Sequence, residues 1–212
     1  MNTRLTSDDD LRVAVAELCG IEPRFLPILE IHGLPSLRSS PQGLEGLLMI
    51  VTEQFLSLKA AGAIWLRVKS RLGNCLASDV LACEVNELLA LGLSRPKAKA
   101  FHEIARAELR GEFSFAALIA YDEAGVSKKL CALPGVGPWT ADIFLLAVLG
   151  AADAWPKGDL ALRVAVQDLL QLDRRPEIAE MDELAAQWKP WRAVAARLLW
   201  SHYRGLKGLP QA

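Results

Sequence analysis

Gly135 and Gly137 stand two residues apart in the string Leu133-Pro134-Gly135-Val136-Gly137-Pro138-Trp139-Thr140-Ala141. Lacking Cβ atoms, they let a tight turn carry backbone N–H groups up to an anion, and the helix that opens at Pro138 aims its positive end the same way. Such a turn can hold a phosphate without a basic side chain, with Gly135, Gly137 and Thr140 as candidate ligands. A lone Gly-x-Gly is more often a plain connection between helices, so the pair takes its meaning from its surroundings. The second candidate is Asp159, in Pro156-Lys157-Gly158-Asp159-Leu160. An aspartate just ahead of an apolar, helix-periodic segment is ordinarily its N-cap.

Other chemistry is thinly represented. His32, His102 and His202 show no ligand spacing, and Cys19, Cys75, Cys83 and Cys131 form no CxxC pair. We therefore expect reduced core thiols and no metal site. The net charge of −1 argues against non-specific coating of nucleic acid, which rests on Lys and Arg neutralising phosphates. A local basic face remains compatible, because residues 59–110 carry nine basic and five acidic side chains, a balance of +4. The N-terminus lacks the apolar stretch of a signal peptide, and charges interrupt every apolar run before membrane-spanning length. A soluble, cytoplasmic protein without a membrane partner is expected.

The elements that must position these residues read as helices throughout. Apolar residues recur at spacings of three and four, with no sustained alternation bounded by hairpin turns. Ser7 is the expected cap of a first helix closing at Gly20. One long helix, bent near Ser57, is expected over 43–72. Shorter helices follow over 85–91, 95–110, 113–119 and 122–131. The glycine turn opens an apolar helix ending at Gly150, and three more are expected over 159–172, 176–187 and 190–204. The segment 205–212 reads as a loose tail.

LPGVGPWTA resembles the hairpin of the helix-hairpin-helix DNA glycosylases, and its Trp-Thr ending resembles the 3-methyladenine DNA glycosylase II branch. The likeness continues through VTEQFLS (51–57), GLSRPKAKA (92–100), WPKGDLALR (155–163) and WKPWRAVAARLLW (188–200). It covers most of the chain from about residue 45 onward, with the hairpin motif over 122–149. The resemblance implies an all-α, two-lobed helical domain over 1–212, with interleaved lobes, a cleft between them and no extra N-terminal lobe. It assigns Asp159 the place of an essential aspartate, which stabilises the cation formed as the glycosidic bond breaks or orients the attacking water. Capping and catalysis are compatible roles. Relatives that also cut the backbone carry a lysine where this chain has Trp139, so base removal without strand cleavage is implied. Iron–sulfur relatives need four clustered cysteines near the C-terminus, which this chain lacks.

By the same resemblance, Phe55 is the wedge that fills the space of an extruded nucleotide, with Gln54 facing the opposite strand. Trp139 and Trp200 would line the base pocket, where indole faces attract a cationic alkylated purine. Each also has a structural reading: Phe55 as a core residue of a long amphipathic helix, the tryptophans as packing on apolar faces. Ile143 departs from the pocket tyrosine of some relatives, which bears on substrate range. Arg95, Lys97, Lys99 and Arg192 are candidates for tracking the backbone. The expected activity is hydrolysis of alkylated purines, 3-methyladenine and 7-methylguanine, from double-stranded DNA by a monomer. No cofactor is expected in the chemistry, and a structural alkali cation at the hairpin is a family feature the sequence leaves open. Two alternatives stand beside this: a non-catalytic DNA-binding module in which Asp159 only caps, and a glycosylase for oxidised or mismatched bases.

Overall fold

The computed structural model describes residues 3–37 and 40–210. Among them are twelve α-helices and no strand; an isolated antiparallel bridge joins Arg4 and Ala151. In chain order the helices are α1 (Asp8–Ile21), α2 (Leu26–His32), α3 (Gly43–Glu53), α4 (Leu58–Leu72), α5 (Ala77–Ala82) and α6 (Val85–Ala90). They continue with α7 (Arg95–Leu109), α8 (Glu123–Cys131), α9 (Pro138–Ala147), α10 (Leu160–Leu169), α11 (Met181–Leu184) and α12 (Arg192–Leu206). The chain is all-α, as expected. It divides into two compact units: Ser40–Phe144 forms one, and the segments on either side form the other.

Ser7 caps α1, accepting the Asp10 N–H at 3.1 Å while the Asp10 carboxylate takes the Ser7 N–H at 2.9 Å. The helix runs past Gly20 rather than closing there. The long helix expected over 43–72 is two helices. α3 ends at Glu53, Phe55 adopts φ +57°, and Ser57 caps α4 by accepting the Ala60 N–H at 3.3 Å. α2 and α5 were not expected, and the 113–119 segment forms only the 3-10 turn Ala116–Ala120. Within 176–187 the helix shrinks to the single turn of α11, followed by the 3-10 turn Ala186–Trp188. α12 extends to Leu206, so the expected tail starts later, and its last two residues lie outside those described. Cys19, Cys75 and Cys83 are buried free thiols, and burial pushes Cys83 up to about 11. Cys131 is a correction: it is exposed, because α8 buries Val126 and Leu130 instead.

In the unit formed by the flanking segments, α12 packs along α10, α2 and α1. Its centre holds three aromatics in edge-to-face contact. Trp188 lies 5.3 Å from Phe25 and 5.7 Å from Trp155, measured between ring centroids. The approach to Phe25 is fixed by Glu22, only 4% exposed, whose carboxylate accepts from the Arg24 Nε at 2.7 Å and the second guanidinium nitrogen at 2.6 Å. That pairing holds the Glu22 carboxyl below its ordinary range. In the unit Ser40–Phe144, α7 packs against α5, α6 and α3, and α3 against α4. The hairpin made by α8, its turn and the start of α9 rests on α7 at Gly135. Gly135 has φ +80°, and a Cβ built there would stand 2.6 Å from the Ala100 Cβ.

Two stability predictions arise here. Gly135→Ala combines an unfavourable left-handed backbone with a collision against α7, and should cost about 2–4 kcal/mol in denaturant unfolding; a change within about 0.5 kcal/mol would contradict this packing. Glu22→Gln should destabilise by about 1–3 kcal/mol at neutral pH. Because the folded carboxyl titrates below its unfolded value, its contribution is complete above the ordinary carboxylate range and is lost as pH falls through it. The gap between wild type and Glu22→Gln in thermal melts should therefore close in acid.

Candidate active site

Asp159 heads α10 with extended backbone, and its Oδ1 accepts the Leu162 N–H at 3.0 Å. The cap foreseen from sequence is therefore present. The same oxygen also accepts from the indole Nε1 of Trp200 at 3.3 Å, across 41 residues of chain. Trp200 lies on α12, which packs along α10, so the ring and the carboxylate are brought together by helix packing. Upstream, Trp155 is buried at 5% exposure against Trp188 and donates its Nε1–H to the Met181 carbonyl at 3.2 Å. The chain then turns through Pro156 to Asp159, whose N–H donates to the Pro156 carbonyl at 2.9 Å. Lys157 pairs with Asp182, and Arg163, one turn into α10, donates to the Pro176 carbonyl at 2.8 Å. The carboxylate is thus fixed from the loop, from its own helix and from α12. It remains only partly buried.

In the other unit, the turn of the hairpin is exposed at Gly135 and partly buried at Gly137, whose carbonyl accepts the Ala141 N–H at 3.0 Å to start α9. Thr140 is 2% exposed. Its hydroxyl accepts from the Gln54 Nε2 at 2.8 Å, and the same nitrogen donates to the Gly135 carbonyl at 3.0 Å. The structure therefore turns Thr140 and the Gln54 amide toward each other, which sequence reasoning had assigned to phosphate and to the opposite strand. Phe55, next in the chain, is fully exposed at 103%. It is not a core residue of a continuous helix. Trp139 occupies the second position of α9, partly buried, and Ile143 is buried at 8% exposure one turn further on.

The candidate backbone contacts divide. Lys97 turns inward, its Nζ donating to the carbonyls of Thr52 at 2.9 Å and Gln54 at 2.7 Å. Arg192 forms a two-point pair with Asp153 at 2.9 and 2.8 Å. Both partners were far away in sequence, so neither was legible. Several charges of the 59–110 stretch are likewise paired: Lys69 with Glu45, Arg71 with Glu87 and Arg106 with Glu103. His102 hydrogen-bonds the Cys83 carbonyl at 2.9 Å, and His202 pairs with Asp168 at 2.7 Å. Among the described residues, no three His, Cys, Asp or Glu side chains are grouped to hold a metal ion, and no helix is long and apolar enough to cross a membrane.

Against known proteins, the chain is 25% identical over 206 residues to the alkylbase DNA glycosidase-like protein mag2 of Schizosaccharomyces pombe, covering 92% of this chain and 95% of that one. It is 33% identical over 97 residues to a DNA-3-methyladenine glycosylase of Bacillus subtilis, covering 46% of this chain and 32% of that one. The chain thus spans nearly all of the yeast relative and about a third of the bacterial one. The 3-methyladenine DNA glycosylase Mag1 of S. pombe, solved in complex with abasic DNA, superposes with a TM-score of 0.82 at 25% identity, covering 88% of this chain and 94% of that one. A family model described as the HhH-GPD superfamily base excision DNA repair protein matches residues 48–191, a span that includes the Phe55 turn, the glycine hairpin and Asp159. With the hairpin and the capped aspartate inside that match, the chain belongs to the HhH-GPD superfamily of base excision DNA repair proteins.

Proposed function

We propose that this chain is a monofunctional DNA glycosylase that hydrolyses the N-glycosidic bond of alkylated purines, 3-methyladenine foremost and 7-methylguanine with it, in duplex DNA. The observation that carries the reading is Asp159: a carboxylate held at a helix N-terminus by its cap bond and by the Trp200 indole. Glycosidic cleavage builds positive charge on the sugar, and a fixed carboxylate beside it needs no reorganisation as that charge develops. N-alkylation leaves the purine cationic and a good leaving group, so little acid catalysis is required. Trp200, already oriented by its bond to Asp159, offers a ring face that attracts the cation more than a normal base. Trp139 stands where backbone-cutting relatives carry a lysine, so the hairpin supplies no amine for a Schiff base.

On this reading Phe55 is the wedge. Extruding a base from the stack costs a few kcal/mol, and an apolar ring entering the gap offsets part of it. The hairpin glycines hold a phosphate through backbone N–H groups at the start of α9. The carbonyls of Leu133 and Gly135 accept from the Val136 N–H and the Gln54 amide, and carbonyls of this turn would hold a structural alkali cation. Such an ion would stiffen the turn and take no part in the reaction. The protein acts as a monomer, with no other cofactor.

Incubation with methylated genomic DNA, followed by chromatography of the released bases, should yield free 3-methyladenine with the strands intact. Absence of any free base would mean a binding module without chemistry. Borohydride added during turnover should trap no protein–DNA adduct, and a trapped adduct would overturn the monofunctional assignment.

A further inference from the structure

Phe55 is an aromatic ring with no burial, on a backbone of φ +57° that bulky side chains rarely adopt. Such a conformation persists only where its surroundings over-determine it. Nothing that the ring itself touches provides this, so the hold must come from its chain neighbours. α3 ends two residues earlier, leaving C-terminal carbonyls without helical partners. Two carbonyls flanking that end, those of Thr52 and Gln54, accept from the single Lys97 ammonium at 2.9 and 2.7 Å. On the other side, the Gln54 side chain is tied to Gly135 and Thr140 of the hairpin.

The placement of Lys97 runs against local preference. It sits in the first turn of α7, where the helix has no acidic residue and no side-chain cap bond, and where a cation opposes the dipole. It is also partly buried, and that burial pushes its ammonium below the ordinary lysine range. Both costs are met at the C-terminal end of α3, where a cation is favoured. α7 also carries the Ala100 methyl against which Gly135 rests. One helix thus braces both the turn that presents Phe55 and the hairpin.

We infer that Lys97 is a positioning residue for Phe55: its ammonium fixes the turn after α3 so that the ring is held outward, in register with the glycine hairpin, before DNA arrives. This rests on the wedge reading of Phe55 given above. A preset wedge lowers the ordering cost paid on binding. Lys97 acts through Phe55 and touches neither base nor sugar, so removing it should harm only what Phe55 does.

The test is a double-mutant cycle on the full chain, with Lys97→Met, Phe55→Ala and the pair. It is read by single-turnover release of 7-methylguanine from a methylated duplex. Lys97→Met should slow release by about tenfold in wild type and change it by less than about twofold in the Phe55→Ala background. An equal loss in both backgrounds, or none in either, overturns the inference. Affinity for a duplex bearing a tetrahydrofuran abasic analogue, relative to unmodified duplex, repeats the cycle without chemistry. If wild type releases no base, the glycosylase reading has failed and the binding cycle alone decides the role of Lys97. Should Lys97→Met not fold, Lys97→Gln carries the cycle, since its shorter, uncharged side chain cannot reproduce an ammonium shared by two carbonyls. The same non-additivity is expected.

Discussion

The hydrogen bonds at the Asp159 carboxylate are the constraint on which the functional account depends. One oxygen takes the Leu162 N–H of its own helix and the indole N–H of Trp200 from another. The first bond is what any N-cap aspartate makes, and it contributes about 1 kcal/mol to helix stability. The second has a different meaning. It fixes the rotation of the carboxylate against α12 and fixes the indole against the carboxylate, so the two groups that the proposed function assigns to the developing positive charge and to the cationic base are oriented by one contact. Fixed charge is worth more to a transition state than mobile charge, because nothing need reorganise as the bond breaks.

The surroundings of Asp159 serve the same end. The carboxylate follows a four-residue loop whose first residue, Trp155, is locked in the aromatic cluster with Trp188 and Phe25. Edge-to-face contacts of this type add about 0.5–1.5 kcal/mol each beyond the area they bury. The loop therefore starts from a rigid point and ends at a helix cap. In the other unit an analogous economy appears: α7 supports the Phe55 turn through Lys97 and the hairpin through Ala100. In each case a short irregular segment carries the candidate functional residues, and packed helices hold both of its ends.

What could be read from the sequence follows from how local each signal is. Ser7 and Asp159 cap the helices that follow them, and capping acts within three residues. The glycine hairpin and the all-helical class were legible for the same reason. The break after α3 was read only as a bend near Ser57, because an aromatic residue at positive φ carries no local mark. Nor could sequence show that Lys97 turns inward to carbonyls 43 and 45 residues away, that Gln54 reaches a hairpin more than 80 residues on, or that Arg192 pairs with Asp153. Those residues were read by type, as candidates to meet DNA. Their partners within the fold lie beyond the reach of local patterning.

Asparagine caps helices as well as aspartate does and retains an oxygen that can accept from both Leu162 and Trp200, so Asp159→Asn removes the charge while sparing the fold. The decisive measurement is the single-turnover rate of base release from methylated duplex by this variant, alongside its melting temperature and its affinity for abasic-analogue DNA. The account predicts a rate lowered by about a hundredfold or more, with melting and affinity close to wild type. Release within about threefold of wild type, in a folded variant, would show that the carboxylate charge takes no part in breaking the bond.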